Sequence, residues 1–313
     1  MPTTKTLLLV DNIATVIATY NRIKLYRSTT YDGVYTALSS MVTLEAGRTH
    51  YDYVDTDAPS LGCWYKRSFY HTVSLLESTL TAPFQASLVV SLQDIRNEGL
   101  GVGELSNDRA LSLSAGWQSW FEKKCGQWFT PRELDLLVDG DGSRVLYLDV
   151  PAISVTELYI NNDFVNALDP SYYTVYNRMF PEDDRRNPRI KLKRSLDGIF
   201  SSYTGSKFNA GDQNQKISGL FGYVEEDGSP PFAVMRAILL LIRMTAAQMN
   251  DDEVDQLRVG RATEEVTDRH RIRYSDLYDS LKKWSVTGIT EVDDALVMYR
   301  RPAKIRSPRS FIV

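Results

Sequence analysis

Over the first 84 residues apolar and polar positions alternate in short bursts, at 13–17, 22–26, 34–38, 50–54 and 64–70. Tyr31-Asp32-Gly33, Ala46-Gly47 and Ala58-Pro59-Ser60-Leu61-Gly62 separate these bursts as turn signals, so the pattern predicts short strands in a small all-β sandwich. Near Leu80-Thr81-Ala82-Pro83-Phe84 the alternation stops and helical spacing takes over. Residues 89–98 read as a short helix stopped by Gly99. Ser106 is placed to cap a longer helix carrying Ala110, Leu113, Trp117, Trp120, Phe121 and Trp128 near one face.

Strand spacing returns at 134–138, 145–148, 155–160, 172–176 and 189–193. Asp139-Gly140-Asp141-Gly142 and Asn161-Asn162-Asp163 read as turns joining neighbouring runs into hairpins. The polar stretch 195–216, rich in Gly, Ser and Asn, predicts an extended loop or arm. Gly219 and Gly222 then bracket an aromatic strand end, and Pro230-Pro231 precedes a helix at positions where a missing N–H costs nothing.

In that helix, 232–249, Val234, Ile238, Leu241, Ile242 and Thr245 form one stripe. Met235, Leu239 and Met249 widen it until a strip near Arg236 and Arg243 is all that stays polar. The expectation is a core helix covered on several sides; two arginines in a run shorter than the ~20 residues of a span argue against a membrane. Further on, Tyr274, Leu277, Tyr278, Leu281 and Trp284 have helical spacing up to Gly288. Thr290, with Asp293 at the third position, is placed to cap a last helix that buries Val292, Ala295, Leu296 and Tyr299 and stops at Pro302.

At 313 residues, 43% hydrophobic and 24% charged, the chain has the balance of a folded protein and room for two domains. A net charge of −4 supplies no general attraction to nucleic acid, so any contact with DNA needs a local patch. The apolar run in MPTTKTLLLVDN is too short for a signal peptide and Asp11 interrupts it, which predicts cytoplasmic synthesis. Cys63 and Cys125 lie far apart and read as buried small hydrophobes, neither a disulfide framework nor a zinc site. The three histidines, His50, His71 and His270, have no metal-ligand spacing.

Candidate chemistry is sparse. Gly99-Leu100-Gly101-Val102-Gly103 is superficially like a phosphate-cradling loop, but it follows a helical pattern, lacks a following lysine and opens no βαβ unit. Asp139-Gly140-Asp141-Gly142-Ser143 lacks the terminal glutamate of a calcium loop and reads as a turn. No nucleophile elbow and no convincing carboxylate pair stands out. The charged run Glu182-Asp183-Asp184-Arg185-Arg186 leads into Arg189, Lys191 and Lys193, a basic row at period two. That row is either an edge strand defended by charge or a surface presented to another subunit or to DNA.

Two resemblances complete the reading. Ile23-Lys24-Leu25-Tyr26-Arg27-Ser28, Tyr31-Asp32-Gly33-Val34-Tyr35, Tyr53-Val54-Asp55-Thr56-Asp57-Ala58 and Gly62-Cys63-Trp64-Tyr65-Lys66-Arg67 resemble a fibronectin type III domain over residues 1–84. Over 85–302 a second set of motifs occurs in order: Val145-Leu146-Tyr147-Leu148 leading into Pro151-Ala152-Ile153-Ser154-Val155, then Tyr172-Tyr173, Asn187-Pro188-Arg189-Ile190, Ser218-Gly219-Leu220-Phe221-Gly222-Tyr223 and Tyr299-Arg300-Arg301-Pro302. This set resembles the head-to-tail connector (adaptor) proteins of tailed bacteriophages.

The resemblances imply an α+β chain: a small fibronectin-like β-sandwich, then a helical connector domain with inserted β-hairpins, then a docking tail at 303–313. They imply a virion structural protein without cofactor or catalytic residues, made in the host cytoplasm. It would sit at the neck as a ring, commonly twelve-fold, with the portal and the tail or tail-completion proteins as partners. The fibronectin-like domain and the 195–216 arm are additions to the compact family pattern.

In the tail, Lys304, Arg306 and Arg309 are expected to meet portal carboxylates, and Ile305, Phe311, Ile312 and Val313 to bury against it. Ordering such a segment costs roughly 1–2 kcal/mol per residue, so the tail alone is expected to be disordered. Arg189, Lys191 and Lys193 are the residues expected to face genomic DNA or a neighbouring subunit. The alternative is a surface-exposed adhesin or carbohydrate-binding decoration protein with the sandwich as its recognition module; an enzyme acting on cell-wall glycan is weaker still, lacking an acid/base pair.

Overall fold

The computed structural model describes residues 2–179, 183–193, 207–250, 264–267, 270–273, 286–301 and 310–312. It is a mixed α+β structure in which every strand pairing among the described residues is antiparallel.

The first unit holds β1 (Thr4–Leu9), α1 (Ile13–Ile17), β2 (Arg22–Ser28), β3 (Thr36–Thr43), β4 (His50–Asp55), β5 (Trp64–Tyr70) and β6 (Phe84–Gln85). β1 pairs with β4, and the other four form a sheet in the order β3-β2-β5-β6. Leu8 and Tyr51 of the first sheet share a core with Ile23 and Leu25 of the second. Arg27 of β2 and Tyr65 of β5 both donate to the Asp55 carboxylate of β4, at 2.8 and 2.9 Å, tying the sheets together through a buried charge.

Residues 13–17, expected as a strand, form a helix. Asn12 turns the chain in the left-handed region at φ 53°, and Ile13, Val16 and Ile17 all pack on the core. A strand would send 13 and 16 to opposite faces. The strand position goes instead to Thr4–Leu9, whose Leu7-Leu8-Leu9 run had no assigned role.

Two helices follow: α2 (Leu92–Asn97) and α3 (Asn107–Cys125). Ser91 and Asp94 close a reciprocal capping box on α2, and the Ser106 hydroxyl accepts from Arg109 N on α3 as expected. Gly126, at φ 70°, ends α3. Trp128 therefore lies beyond the helix, not on its face, and packs on the β core of the second unit.

That β core lies between two sheets made from β7 (Arg132–Gly140), β8 (Val145–Tyr147), β9 (Ala152–Tyr159), β10 (Tyr173–Tyr176), β11 (Arg189–Leu192), β12 (Gly211–Phe221) and, at the far end of the chain, β15 (Ser310–Ile312). Their orders are β15-β7-β12-β9 and β10-β11-β8. The two expected hairpins do not form: β7 and β8 belong to different sheets, as do β9 and β10. The turn residues are real, but a turn sets local chain direction and not which strand pairs with which.

The expected arm at 195–216 is partly wrong too. Residues 194–206 lie outside the described part, but from Gly211 the chain is the central strand β12. Its polar start is held by side chains: Asn214 Oδ1 accepts from Gly140 N at 2.8 Å, and buried Gln215 accepts from Asn161 N at 3.0 Å. At Gly219 an added Cβ would strike the Ser154 carbonyl oxygen on β9, so the absent side chain permits the strands to close.

β12 leads through Gly222 into α4 (Phe232–Asn250). Val234, Ile238, Leu241 and Ile242 are buried, packed against α3 and against α5 (Thr290–Tyr299). The polar strip is used: Arg236 reaches Glu98 at 2.6 Å and Glu291 at 3.5 Å. A short pair, β13 (Glu264–Thr267) and β14 (His270–Arg273), lies between them in sequence. The predicted helix at 274–284 falls outside the described residues.

α5 buries Val292, Ala295, Leu296 and Tyr299 as expected. Its cap differs. Thr290 is the first helical residue and Ile289 the cap, without a side-chain bond. Asp293 instead gathers the preceding loop, accepting from Val286 N, Thr287 N and Gly288 N at 2.9–3.2 Å.

The two units are joined by carboxylates. Asp52 accepts from Leu92 N at 2.9 Å, Lys5 pairs with Asp94 at 2.7 Å, and Asp108 accepts from Thr49 N and His50 N, each at 2.7 Å. Phe84–Gln85 belong to the four-stranded sheet of the first unit as β6, and Leu88 N still donates to Lys5 O.

Candidate functional site

Where β12 ends, α5 ends and the 183–188 turn comes back toward the sheet, aromatic and charged side chains converge. Gly222 makes this convergence possible. It sits at φ 149°, and a Cβ there would lie 2.6 Å from the Thr130 carbonyl oxygen. Tyr223 follows, with Phe129 and Tyr299 beside it in edge-on or tilted contact. Arg185 lies over the Tyr223 ring, 4.3 Å from its centroid, and donates to Val224 O at 2.7 Å. Asp183 accepts from Arg185 Nε at 2.7 Å and from the Tyr223 hydroxyl.

The electrostatics follow from this geometry. Burial alone would raise the Asp183 pKa, but hydrogen bonds from Arg185 and Tyr223 outweigh it and hold the carboxyl below its usual range. Tyr223 is pushed well above an ordinary phenol, first by burial and then by donating to Asp183. It stays a neutral donor. Arg301, just past α5, donates its backbone N to Cys125 O at 3.0 Å and its guanidinium to Asp149, while burial lowers its pKa.

Between these groups lies a cleft of about 220 Å³. Arg185, Arg186, Arg300 and Arg301 line it with Asp149, and Val297 and Met298 form an apolar part of the wall. Small-molecule sites usually run to ~300–1,000 Å³. This cleft is smaller than that range. It holds no nucleophile aligned with a base, and its charge suits an acidic group.

The basic row expected at Arg189, Lys191 and Lys193 lies on one face of β11, with Ile190 and Leu192 buried behind it. β11 is not an edge strand: it pairs with β10 on one side and β8 on the other, which overturns the edge-strand reading. Arg189 is occupied, 3.3 Å from Asp184 and 4.1 Å over the Tyr176 ring. Lys191 and Lys193 are exposed.

Of the expected tail contacts, Lys304, Ile305, Arg306, Arg309 and Val313 lie outside the described residues. Phe311 and Ile312 are in β15, in register with Leu137 and Leu136 of β7. These residues have a place on the chain's own sheet, contrary to the expectation of an unstructured tail. The physical reason is that an open edge of β7 supplies backbone partners without a second protein.

The remaining candidates keep structural roles. Cys63 and Cys125 are buried and unpaired. The 99–103 segment is a connector between α2 and α3, braced by Arg96 donating to Leu100 O and Leu105 O. Asp141 accepts from Ser143 N in a local turn, and His71 Nδ1 accepts from Ser74 N at 3.1 Å. Among the described residues no group of three or more His, Cys, Asp or Glu side chains could hold a metal ion, and no helix is long and apolar enough to cross a membrane.

Sequence reasoning did not find the Asp183, Arg185, Tyr223 and Tyr299 cluster. It read 182–186 as one charged run, and contacts between residues 40 or more positions apart leave no periodic signal. No protein-family model matches this chain, and no curated protein matches it in sequence.

Proposed function

We propose that this chain is a head-to-tail connector of a tailed bacteriophage, a non-enzymatic ring subunit docked on the portal and holding tail or tail-completion proteins. The observation that carries the reading is the convergence of its ordered motifs. The Gly-Tyr strand end and the Tyr-Arg-Arg end of α5 are remote in sequence, yet they meet at one cleft, with Tyr223 against Tyr299 and Arg301 against Asp149. The motif 187–190 forms the adjoining turn and β11.

In this reading the first unit is a fibronectin type III-like sandwich. Its two facing sheets, of two and four strands, are compatible with that. The carboxylate junction makes it a rigid outwork of the connector. Within the tail, Lys304, Arg306 and Arg309 are the portal-docking residues, while Phe311 and Ile312 belong to the chain's own sheet, and Lys191 and Lys193 are turned toward DNA in the channel.

The test is imaging of particles in which the chain carries a label. A connector lies at one vertex, at the neck. Label spread over the particle periphery would favour an adhesin or glycan-binding decoration protein and remove the connector reading.

A further inference from the structure

The 161–169 loop is built to present an apolar tip. Asn161 and Asn162 both occupy the left-handed region, at φ 59° and 66°, which asparagine enters more readily than other residues with a side chain. The surroundings hold them there: Asn162 N donates to Asn214 O at 2.9 Å, and Asn161 Oδ1 accepts from Asn209 N at 2.7 Å. Asp163 then accepts from Val165 N and Asn166 N at 3.2 and 3.1 Å, and Leu168 N donates back to Leu158 O at 2.7 Å. The loop held by these bonds exposes Phe164 at 44% and Val165 at 86%. It carries Asp163 and Asp169 and no cation.

The cleft beside α5 has the opposite character. Four arginines and one aspartate line it; Arg185 is paired with Asp183 and Arg301 with Asp149, so exposed Arg186 and Arg300 set its charge, and Val297 and Met298 are exposed at 64% and 50%. Loop and cleft stand at opposite ends of one strand. β12 sets Phe221, next to the cleft, opposite Ala152, and Lys216 opposite Tyr159, which leads into the loop. At ~3.3 Å per residue, β9 separates them by roughly 23 Å. They do not meet within a single copy.

We propose that the 161–169 loop of one copy seats in the arginine-lined cleft of a second copy. Phe164 and Val165 cover Val297 and Met298, and the loop aspartates face Arg186 and Arg300. Because the two patches differ, the contact is head to tail and repeats from copy to copy. This deepens the ring reading and rests on it for closure.

The experiment pairs Val165→Cys with Met298→Cys in the full chain under mild oxidation. The native Cys63 and Cys125 are buried and do not compete. The double variant is expected to give a ladder of disulfide-linked multimers, and each single variant nothing beyond a dimer. Absence of the ladder overturns the contact. In sedimentation, Val165→Asp, at an exposed position that leaves the fold intact, is expected to weaken self-association at least ~10-fold; unchanged association likewise overturns it. A ladder that closes supports both contact and ring. A ladder that grows without closing keeps the contact and removes the ring, whereas a wild-type ring without a ladder keeps the ring and removes the contact.

Discussion

Tyr223 and Tyr299 meet edge to face, their ring centroids 5.2 Å apart and their planes at 83°. The first residue beyond the Gly222 turn is thereby held by the last residue of α5, and the β core is locked to the helical core. Tyr299 is also edge-on to Phe129, at 5.8 Å, and its carbonyl accepts from Gln127. Tyr299→Ala is expected to cost about 3–5 kcal/mol, the range for removing a buried aromatic ring. Val297→Ala, on the exposed face of the same helix, is expected to stay within ~0.5 kcal/mol. Denaturant unfolding of the two variants checks both.

The carboxylates at the junction and the cleft are expected to make the fold acid-sensitive. For Asp94, Asp108 and Asp183, burial would raise the pKa, but hydrogen bonds outweigh it, from Lys5 and Ser91, from the Thr49 and His50 amides, and from Arg185 and Tyr223 respectively. Each folded-state pKa therefore lies below that of an unfolded Asp, ~3.9. The stability they contribute is present above that value and is lost as pH falls through the depressed folded values. Asp108→Asn is expected to lower stability near neutrality and to flatten its decline below pH ~4. Thermal unfolding over a pH series would show whether the two profiles converge in acid.

The basic row on β11 sets a limit on DNA binding. Arg189 is held by Asp184 and Tyr176, leaving Lys191 and Lys193 as exposed cations of the row. Neutralising two phosphates gives a slope of about −1.8 in log affinity against log salt for duplex DNA. Replacing both lysines by glutamine is expected to reduce the measured slope by about that amount. A slope unchanged by the double substitution would locate any DNA contact elsewhere.

The first unit is built into the second through Asp52, Lys5 and Asp108. Removing residues 1–85 deprives α2 of its Asp52 contact and Asp94 of its lysine. The remaining piece keeps the large helical core and is expected to unfold cooperatively, at a Tm lower by at least ~5 °C. Calorimetry of the truncated chain decides the point; loss of a cooperative transition would mean that the junction is part of one folding unit.

Local grammar determined much of this protein. Alternation located β2, β4 and β5, and the stripe from Val234 to Ile242 identified a helix whose environment had to be apolar on several sides. Ser106 acts on a backbone group within a turn of itself, which is why that cap could be read from its neighbours, whereas the stop at Gly126 was passed over and Trp128 was counted on the helix. Partner choice was decided elsewhere. The Asp139–Gly142 turn has the residues of a hairpin, yet β7 pairs with β12 and β15, because burying the faces of two stacked sheets outweighs closing the nearest pair. Polar Asn214 and Gln215 looked like loop residues and became the start of a central strand, since Gly140 and Asn161 supply their hydrogen bonds. The cleft is the extreme case: Asp149, Arg185, Tyr223 and Arg301 are brought together by packing between remote segments, and no local pattern of hydrophobic and polar positions encodes that meeting.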